Sequence, residues 1–150
     1  MHAISSHDSM GMNKKKIIIF GAFDRYNYGD LLLPLILSHY VDVKYHPQLC
    51  YASIKDANLS DMGGFECESF QHIEINSNDT IIISGGETLT VDWTSIVSYY
   101  VHPFLNRLIR ISRKILPRKL INFLCSVWMG SKNKLPFIIE NHSNTIYNTV

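Results

Sequence analysis

The stretch NYGD, which contains Asn27, Gly29 and Asp30, places polar side chains directly before an apolar run. Glycine adopts backbone conformations closed to other residues, and aspartate is favoured as the N-cap of a helix. Free amides at a helix start attract phosphate or carboxylate groups, and Asn27 would add side-chain hydrogen bonds. Asp30 would cap the helix, orient a sugar hydroxyl or act as an acid or base. A capped helix start without a ligand is the simpler interpretation.

The stretch SGGETL supplies a second candidate site. Gly85 and Gly86 would let a ligand approach the backbone closely, and Glu87 is the nearest carboxylate. A tight turn with a solvated Glu87 explains the same residues equally well. Neither stretch matches the GxGxxG of dinucleotide-binding proteins or the GxxxxGK[ST] of a P-loop, which disfavours an NAD enzyme and a P-loop kinase.

Histidine, serine and cysteine add no further catalytic or metal-binding pattern. The seven histidines contain no HExxH motif, and Ser84 does not lie in a GxSxG elbow. The three cysteines lack a CxxC pair, so neither a zinc site nor a disulfide framework is indicated. The sequence predicts a reducing, cytoplasmic setting and neither a metal nor a cofactor.

Two short apolar runs must position the candidate residues. Ile17 to Phe20 and Thr80 to Ser84 are rich in isoleucine, as is typical of buried strands. Both runs end at glycine, so we expect parallel strands in one sheet, with loops 21–30 and 85–89 opening at its carboxyl edge. Asp30 to about Tyr40 has the apolar spacing of a helix, with Pro34 in its first turn.

Weaker patterns occupy the rest of the chain. Val41 to Tyr45 alternates strictly and predicts the second strand, whereas residues 46–72 show no sustained period. Residues 94–129 predict two or three helices, broken at Pro103 and Pro117. Two further strand candidates are PFIIE and TIYNTV, at residues 136–140 and 145–150.

This order of elements predicts an α/β fold, a Rossmann-like three-layer domain with a mostly parallel sheet, over residues 14–150. A chain of 150 residues that is 46% hydrophobic can bury the core of one such domain. Residues 1–13 are polar and without periodicity, so we expect a disordered leader there. The sequence stops within a strand candidate, so we expect the domain to be truncated at its C-terminal end.

Charge is segregated along the chain. Residues 1–92 carry six Lys and Arg against 12 Asp and Glu, whereas residues 93–150 carry eight against one. The stretch FLNRLIRISRKIL places Leu105, Leu108, Ile109 and other apolar residues on one helix face, as in helices that lie on membranes. We therefore expect residues 94–134 to contact the anionic inner face of a membrane peripherally. The alternative is a solvated helix whose apolar side packs on the sheet. The region has no nucleic-acid reading motif, so no nucleic-acid partner is expected.

The segments GAFDRYNYGDLLLPLIL and DTIIISGGETL, in this order, resemble the N-terminal half of the polysaccharide pyruvyl transferase family. Members of that family open with an N-x-G-D turn after the first strand and later carry a strand with a glycine-rich exit. The resemblance covers roughly residues 14–92, and the end of the chain is similar to the family's next strands. It implies the N-terminal half of a GT-B-like two-domain enzyme, with the active site between two Rossmann-like halves.

The resemblance also implies a reaction. Such enzymes transfer a pyruvate ketal from phosphoenolpyruvate, the donor substrate, to a sugar of a cell-surface polysaccharide precursor. The acceptor would be a saccharide or a lipid-linked saccharide, and the donor groups would lie in a second half, without which this part is expected to be inactive. The matching residues are Asn27, Gly29 and Asp30 in the first motif, and Gly85 and Gly86 in the second, where Glu87 replaces a third glycine. Of the carboxylates in these loops, Asp30 is expected to be the catalytic one, with Glu87 as the weaker candidate.

Two alternatives stay open beside this enzyme. The first is a non-catalytic, truncated remnant that binds sugar or phosphate through the same loops. The second is a nucleotide-sugar glycosyltransferase, whose donor would also lie mainly in a second half.

Overall fold

The computed structural model of the protein describes residues 15–85, 90–131, 133–140, 142 and 144–148. Within these ranges, six strands form one sheet and helices lie on both of its faces. The strands are β1 (Ile17–Phe20), β2 (Leu49–Ser53), β3 (Ala57–Asn58), β4 (Glu66–Ser69), β5 (Thr80–Ser84) and β6 (Thr145–Asn148). The α-helices are α1 (Tyr28–Tyr40), α2 (Trp93–Tyr100), α3 (Pro103–Ile115) and α4 (Arg118–Trp128).

The described strands lie in the order β3-β4-β2-β1-β5-β6. Strand β3 runs antiparallel to β4, and the other pairs are parallel. The chain passes from β1 to β2 on one side and later returns to β5 on the other side of β1. Open α/β sheets bind ligands at such a reversal of strand order. The predicted α/β fold with a mostly parallel sheet is confirmed, its strand order is Rossmann-like, and β1 and β5 are parallel neighbours as predicted.

Alternate residues of the strands build a separate core on each face of the sheet. Ile18 and Phe20 of β1 pack on one face with Trp93 of α2 and with residues of α4. Ile19 turns to the opposite face and packs with Leu31 of α1. This alternation is the two-residue period of a strand, and it produces the three layers that the sequence predicts.

The second strand predicted at Val41 to Tyr45 is wrong. Val43–Gln48 forms a 3-10 helix, in which Asp42 accepts a backbone N–H as the N-cap. Pro47 within this segment has no N–H to donate to a sheet. The strand β2 begins directly afterwards, at Leu49. The alternation of polar and apolar residues over Val41 to Tyr45 therefore belongs to an exposed helical turn and not to a strand.

The predictions for the C-terminal part are confirmed except for one strand. Helices α2, α3 and α4 are separated at Pro103 and Pro117 as predicted, and β6 pairs in parallel with β5. The strand predicted at residues 136–140 is wrong, because those residues form turns and coil. Phe137 there is buried, with its ring centroid 5.1 Å from that of Phe20, so hydrophobicity in this segment reflects core packing rather than a strand.

Helix α1 differs from its prediction in register and burial. It begins at Tyr28, so Pro34 lies in the second turn rather than the first and has no N–H for the carbonyl four residues earlier. Leu31 is buried, whereas Ile36 and Tyr40 of the predicted apolar face are exposed. The helix therefore covers the sheet with only part of that face.

Asp79 ties the amino ends of β1 and β5 together. Its buried carboxylate accepts the N–H of Lys16 at 2.7 Å and the N–H of Asn76 at 2.8 Å. Burial by itself would raise the pKa of Asp79, but these hydrogen bonds and the Lys16 charge hold the pKa below its ordinary value of 3.8. Such a carboxylate stabilises the fold above its ordinary pKa and loses that contribution as the pH falls below it.

Asp79→Asn is expected to lower the free energy of unfolding at neutral pH by about 1.5–3 kcal/mol, since an amide group replaces an acceptor of charged hydrogen bonds. The variant should also lose less stability than wild type as the pH falls below 3.8. Urea unfolding over a pH series measures both effects. Asp61→Asn, which removes an exposed carboxylate, is the control. Parallel pH profiles for wild type and Asp79→Asn would contradict this role.

Candidate ligand site at the carboxyl edge of the sheet

The loops after β1 and β5 leave the sheet side by side. A Cβ atom on Gly21 would lie 2.4 Å from the carbonyl oxygen of Ser84, so the two exits touch. Gly85 has a φ of 147°, in a backbone region that other residues rarely adopt. The predicted meeting of the exits at one edge is confirmed in the described part of the chain. Gly86 and Glu87 lie outside the described residues.

Asn27, and not Asp30, is the N-cap of α1. Asn27 Oδ1 accepts the N–H of Gly29 at 3.2 Å, and Asn27 Nδ2 donates to Asp30 Oδ2 at 3.2 Å. Asp30 lies in the first turn, where a carboxylate interacts favourably with the helix dipole. The prediction of Asp30 as the cap is wrong because the helix begins earlier. The Gly29 amide, one of those expected to bind an anion, is already bound to Asn27.

Gly29 is not required to be glycine by its backbone. Its φ is not positive, and an added Cβ would meet Asn27 Oδ1 at 3.7 Å, an ordinary contact. The expected special conformation of Gly29 is therefore not found. Gly29→Ala should raise the free energy of unfolding by about 0.5–1 kcal/mol, because alanine loses less conformational entropy in a helix.

Chemical denaturation measures the effect of Gly29→Ala. Gly63→Ala is the matched control, because Gly63 has a φ of 75° and open space around its Cα, so alanine there is strained without a clash. The control should unfold more easily than wild type. A midpoint for Gly29→Ala at or below that of wild type would contradict the expectation.

Asp24 lies in the 3-10 turn after β1 and binds groups from two other elements. Its Oδ1 accepts the hydroxyl of Ser53 at 2.6 Å, and its Oδ2 accepts the N–H of Lys55 at 3.1 Å and the hydroxyl of Tyr100. Burial, and next the hydrogen bond and charge of Asp24, raise the pKa of Tyr100, so the phenol stays protonated and donates. Asp24 thus anchors the turn after β1 to the end of β2 and to α2.

Arg25 follows in the same turn and brings positive charge to the edge. Its guanidinium carbon lies 4.3 Å from the centroid of the Tyr99 ring. Its Nε and Nη2 are buried without a hydrogen-bond partner, and so is the hydroxyl of Ser84, within the ranges that the structure describes. Unpaired buried donors are costly, and the contact with the Tyr99 ring partly offsets that cost for Arg25.

A pocket of about 520 Å³ lies where β2 and β4 end. Trp128, at the end of α4, forms part of its wall and keeps 59% of its surface exposed. Gln71 Nε2 donates to the carbonyl of Met129 and holds the end of α4 at this edge. An exposed indole beside hydrogen-bonding groups suits a polyhydroxylated ligand, whose C–H face packs on the ring. The polar side chains of the pocket belong to Lys55, Asp56, Ser69, Gln71 and His72.

The sequence did not single out Asp24, Arg25 or Trp128. Asp24 and Arg25 stand within the stretch FDRYNYGD, where a charged pair directly after a strand was the available signal. Tyr100 lies 76 residues from Asp24, and no spacing in the sequence connects them. Within the described residues, no group of three or more His, Cys, Asp and Glu side chains could hold a metal ion.

The described part of the carboxyl edge thus combines a capped helix start, the Asp24 anchor with Arg25 beside it, and the Trp128 pocket. The Lys55 N–H that binds Asp24 belongs to a residue of the pocket wall, so anchor and pocket adjoin. Comparisons with protein-family models, with curated proteins and with solved structures find no match for this chain.

Proposed function

We propose that the protein is a polysaccharide pyruvyl transferase-like protein whose carboxyl edge binds the saccharide acceptor. The observation that carries the proposal is the Trp128 pocket, an exposed aromatic ring among polar side chains at the ligand-binding edge of an α/β sheet. The resemblance of the NYGD and SGGETL loops to that family supports it. In a GT-B-like arrangement, this domain would form one wall of the cleft and a second half would hold phosphoenolpyruvate.

The proposed reaction assigns roles to residues of the loop after β1. The vinyl carbon of phosphoenolpyruvate gains a proton and becomes a methyl group, and two sugar hydroxyl oxygens lose their protons and bond to the neighbouring carbon. Inorganic phosphate leaves, and the two hydroxyl protons are balanced by one on the methyl group and one on the phosphate. Asp30 would accept a hydroxyl proton as the general base. Arg25, whose guanidinium lies in the same turn against the Tyr99 ring, would supply positive charge near an anionic group of the reactants.

Gly29 supports a ligand at this loop. The fold does not require glycine there, since a Cβ would meet only an ordinary contact at 3.7 Å. Close approach of a ligand to the exposed first turn of α1 would explain the absence of a side chain.

A non-catalytic saccharide-binding protein is the second candidate. This candidate is favoured because Asp24 and Asp30, two carboxylates at this edge, accept hydrogen bonds from other residues of the domain. Asp24 accepts three internal donors, and Asp30 accepts Asn27 Nδ2, so both carboxylates already serve the fold, and hydrogen bonds to an ionised carboxylate make it a weaker base. Binding without chemistry requires no base.

The test measures release of inorganic phosphate from phosphoenolpyruvate by the protein, with and without oligosaccharides from bacterial cell-surface polysaccharides. The proposal expects phosphate release only with saccharide, together with the methyl signal of a pyruvate ketal in the proton NMR spectrum. Saccharide binding without phosphate release would favour the second candidate. If the protein neither binds saccharide nor releases phosphate, both candidate functions are overturned.

Trp128→Ala links this assay to the pocket. The indole is largely exposed, so its removal should weaken saccharide binding with little loss of stability. Tyr40→Ala, which removes a ring that is 81% exposed on α1, is the matched control. Equal saccharide affinities of the two variants would argue against the pocket as the acceptor site.

A further inference from the structure

We propose that the exposed faces of α3 and α4 form a docking surface for an anionic lipid bilayer, an inference that goes beyond the proposed transfer reaction and does not depend on it. Within the described residues, none of the helices has the length and apolar character to cross a membrane. The proposed contact is with the membrane surface. The sequence predicts a membrane contact somewhere in residues 94–134, and we assign that contact to particular side chains of α3 and α4.

Helix α3 exposes its apolar side chains. It buries none of its residues, and its principal contacts are with α2 and α4 rather than with a strand. The alternative, in which the apolar side of this helix packs against the domain, holds for Ile109, which is partly buried against the core. Apart from Leu105, the exposed apolar residues of the helix recur every three or four positions, so they form one stripe along it. The stripe consists of Phe104, Leu108, Ile111 and Ile115.

Helix α4 adds a second exposed apolar face. It buries Ile121 and Cys125 against the core of the domain. A groove of about 290 Å³ between α2, α3 and α4 is lined almost entirely by apolar side chains. Contiguous exposed apolar surface marks an interaction site rather than an ordinary soluble surface. The exposed apolar residues of α4, besides Trp128, are Leu120, Phe123, Leu124 and Val127.

Basic residues accompany this apolar surface. No Asp or Glu occurs between Trp93 and Ile139, so nothing within that segment neutralises them. Arg113 differs from the others, because it lies 3.9 Å from Asp92 in an ion pair. The remaining basic residues of the two helices are Arg107, Arg110, Lys114, Arg118 and Lys119.

An anionic bilayer fits both features of the surface. Apolar side chains enter the boundary of the acyl chains while basic side chains bind headgroup phosphates. A second copy of the chain on the same surface would bring two sets of basic residues together, which like-charge repulsion opposes. Trp128 lines both the apolar groove and the polar pocket, so a docked bilayer would lie beside the candidate ligand site.

Co-sedimentation of the whole chain with vesicles tests the charge requirement. Binding is expected with vesicles of phosphatidylcholine and phosphatidylglycerol and not with phosphatidylcholine alone. It should weaken between 0.1 M and 1 M salt, as the screening length falls from about 10 Å to about 3 Å. Arg107→Gln with Arg110→Gln should lower partitioning about 25-fold, at roughly fivefold per charge. The control, Lys15→Gln with Lys44→Gln, removes the same charge at exposed positions outside α3 and α4 and should bind like wild type.

A second pair of variants tests the apolar stripe. Phe104 is 66% and Ile115 is 77% exposed, so Phe104→Gln with Ile115→Gln should leave folding intact and lower vesicle binding roughly tenfold. Tyr40→Gln with Val43→Gln changes equally exposed apolar residues elsewhere and should have no effect. Equal recovery with both kinds of vesicle would overturn the proposal. Lipid-free dimerisation that the Phe104 and Ile115 changes abolish would also overturn it and assign the surface to a second copy.

Discussion

Gly21→Ala is expected to lower the free energy of unfolding by about 3 kcal/mol, because the position has no room for a methyl group. The new Cβ would lie 2.4 Å from the carbonyl oxygen of Ser84 and 2.5 Å from the ring of Phe23. The Gly21 N–H also donates to Ala52 at 3.1 Å, so the residue is held from both neighbouring strands. Relief of the clash would require β1 and β5 to separate where the candidate site begins.

Urea unfolding compares Gly21→Ala with Gly29→Ala, an identical substitution eight residues later, in the first turn of α1. The two variants should change the free energy of unfolding in opposite directions, since the added methyl group clashes at Gly21 and meets an ordinary contact at Gly29. A Gly21→Ala variant as stable as wild type would show that the loops after β1 and β5 do not touch.

Asp30→Asn is expected to reduce the turnover of pyruvyl transfer about 100-fold or more and to leave folding nearly intact. General base catalysis contributes about 10²- to 10⁴-fold, and an amide cannot accept the proton. The structural cost should be small, at about 0.3–1 kcal/mol for the lost charge near the helix dipole, because Asn27 still caps α1. Acceptor-dependent phosphate release and thermal unfolding measure the two quantities separately.

Asp61→Asn is the control for Asp30→Asn, because it removes an exposed carboxylate from the first turn of the short 3-10 helix Ser60–Met62. Turnover and stability should both resemble those of wild type. Near-normal transfer by Asp30→Asn would remove Asp30 from the catalytic residues. A large loss of stability would instead assign its carboxylate to the fold.

The strands that position the candidate site could be predicted because their signals are local and strong. Ile17–Phe20 and Thr80–Ser84 are dense β-branched runs that end at glycine, and both strands have the predicted bounds. The helix breaks at Pro103 and Pro117 could be predicted for the same reason, since proline acts on its own turn.

The remaining errors arise where tertiary packing chooses between local alternatives. Asn27 and Asp30 are both good N-caps, and the choice depends on where α1 begins on the sheet. Leu49–Ser53 has no clear alternation of polar and apolar residues because the strand packs against a core on each face of the sheet. The Trp128 pocket joins the ends of two strands and a helix, so no single stretch of sequence encodes it.

Amide chemical-shift mapping of the 150-residue chain with oligosaccharides from bacterial polysaccharides tests the central claim most directly, since that claim places a saccharide at the carboxyl edge. The largest shifts are expected in residues 21–30, 53–56, 69–72 and 128–129, and Trp128→Ala should diminish them. Shifts confined to the opposite edge, around Lys16 and Asp79, or no shifts at any saccharide concentration, would contradict the account.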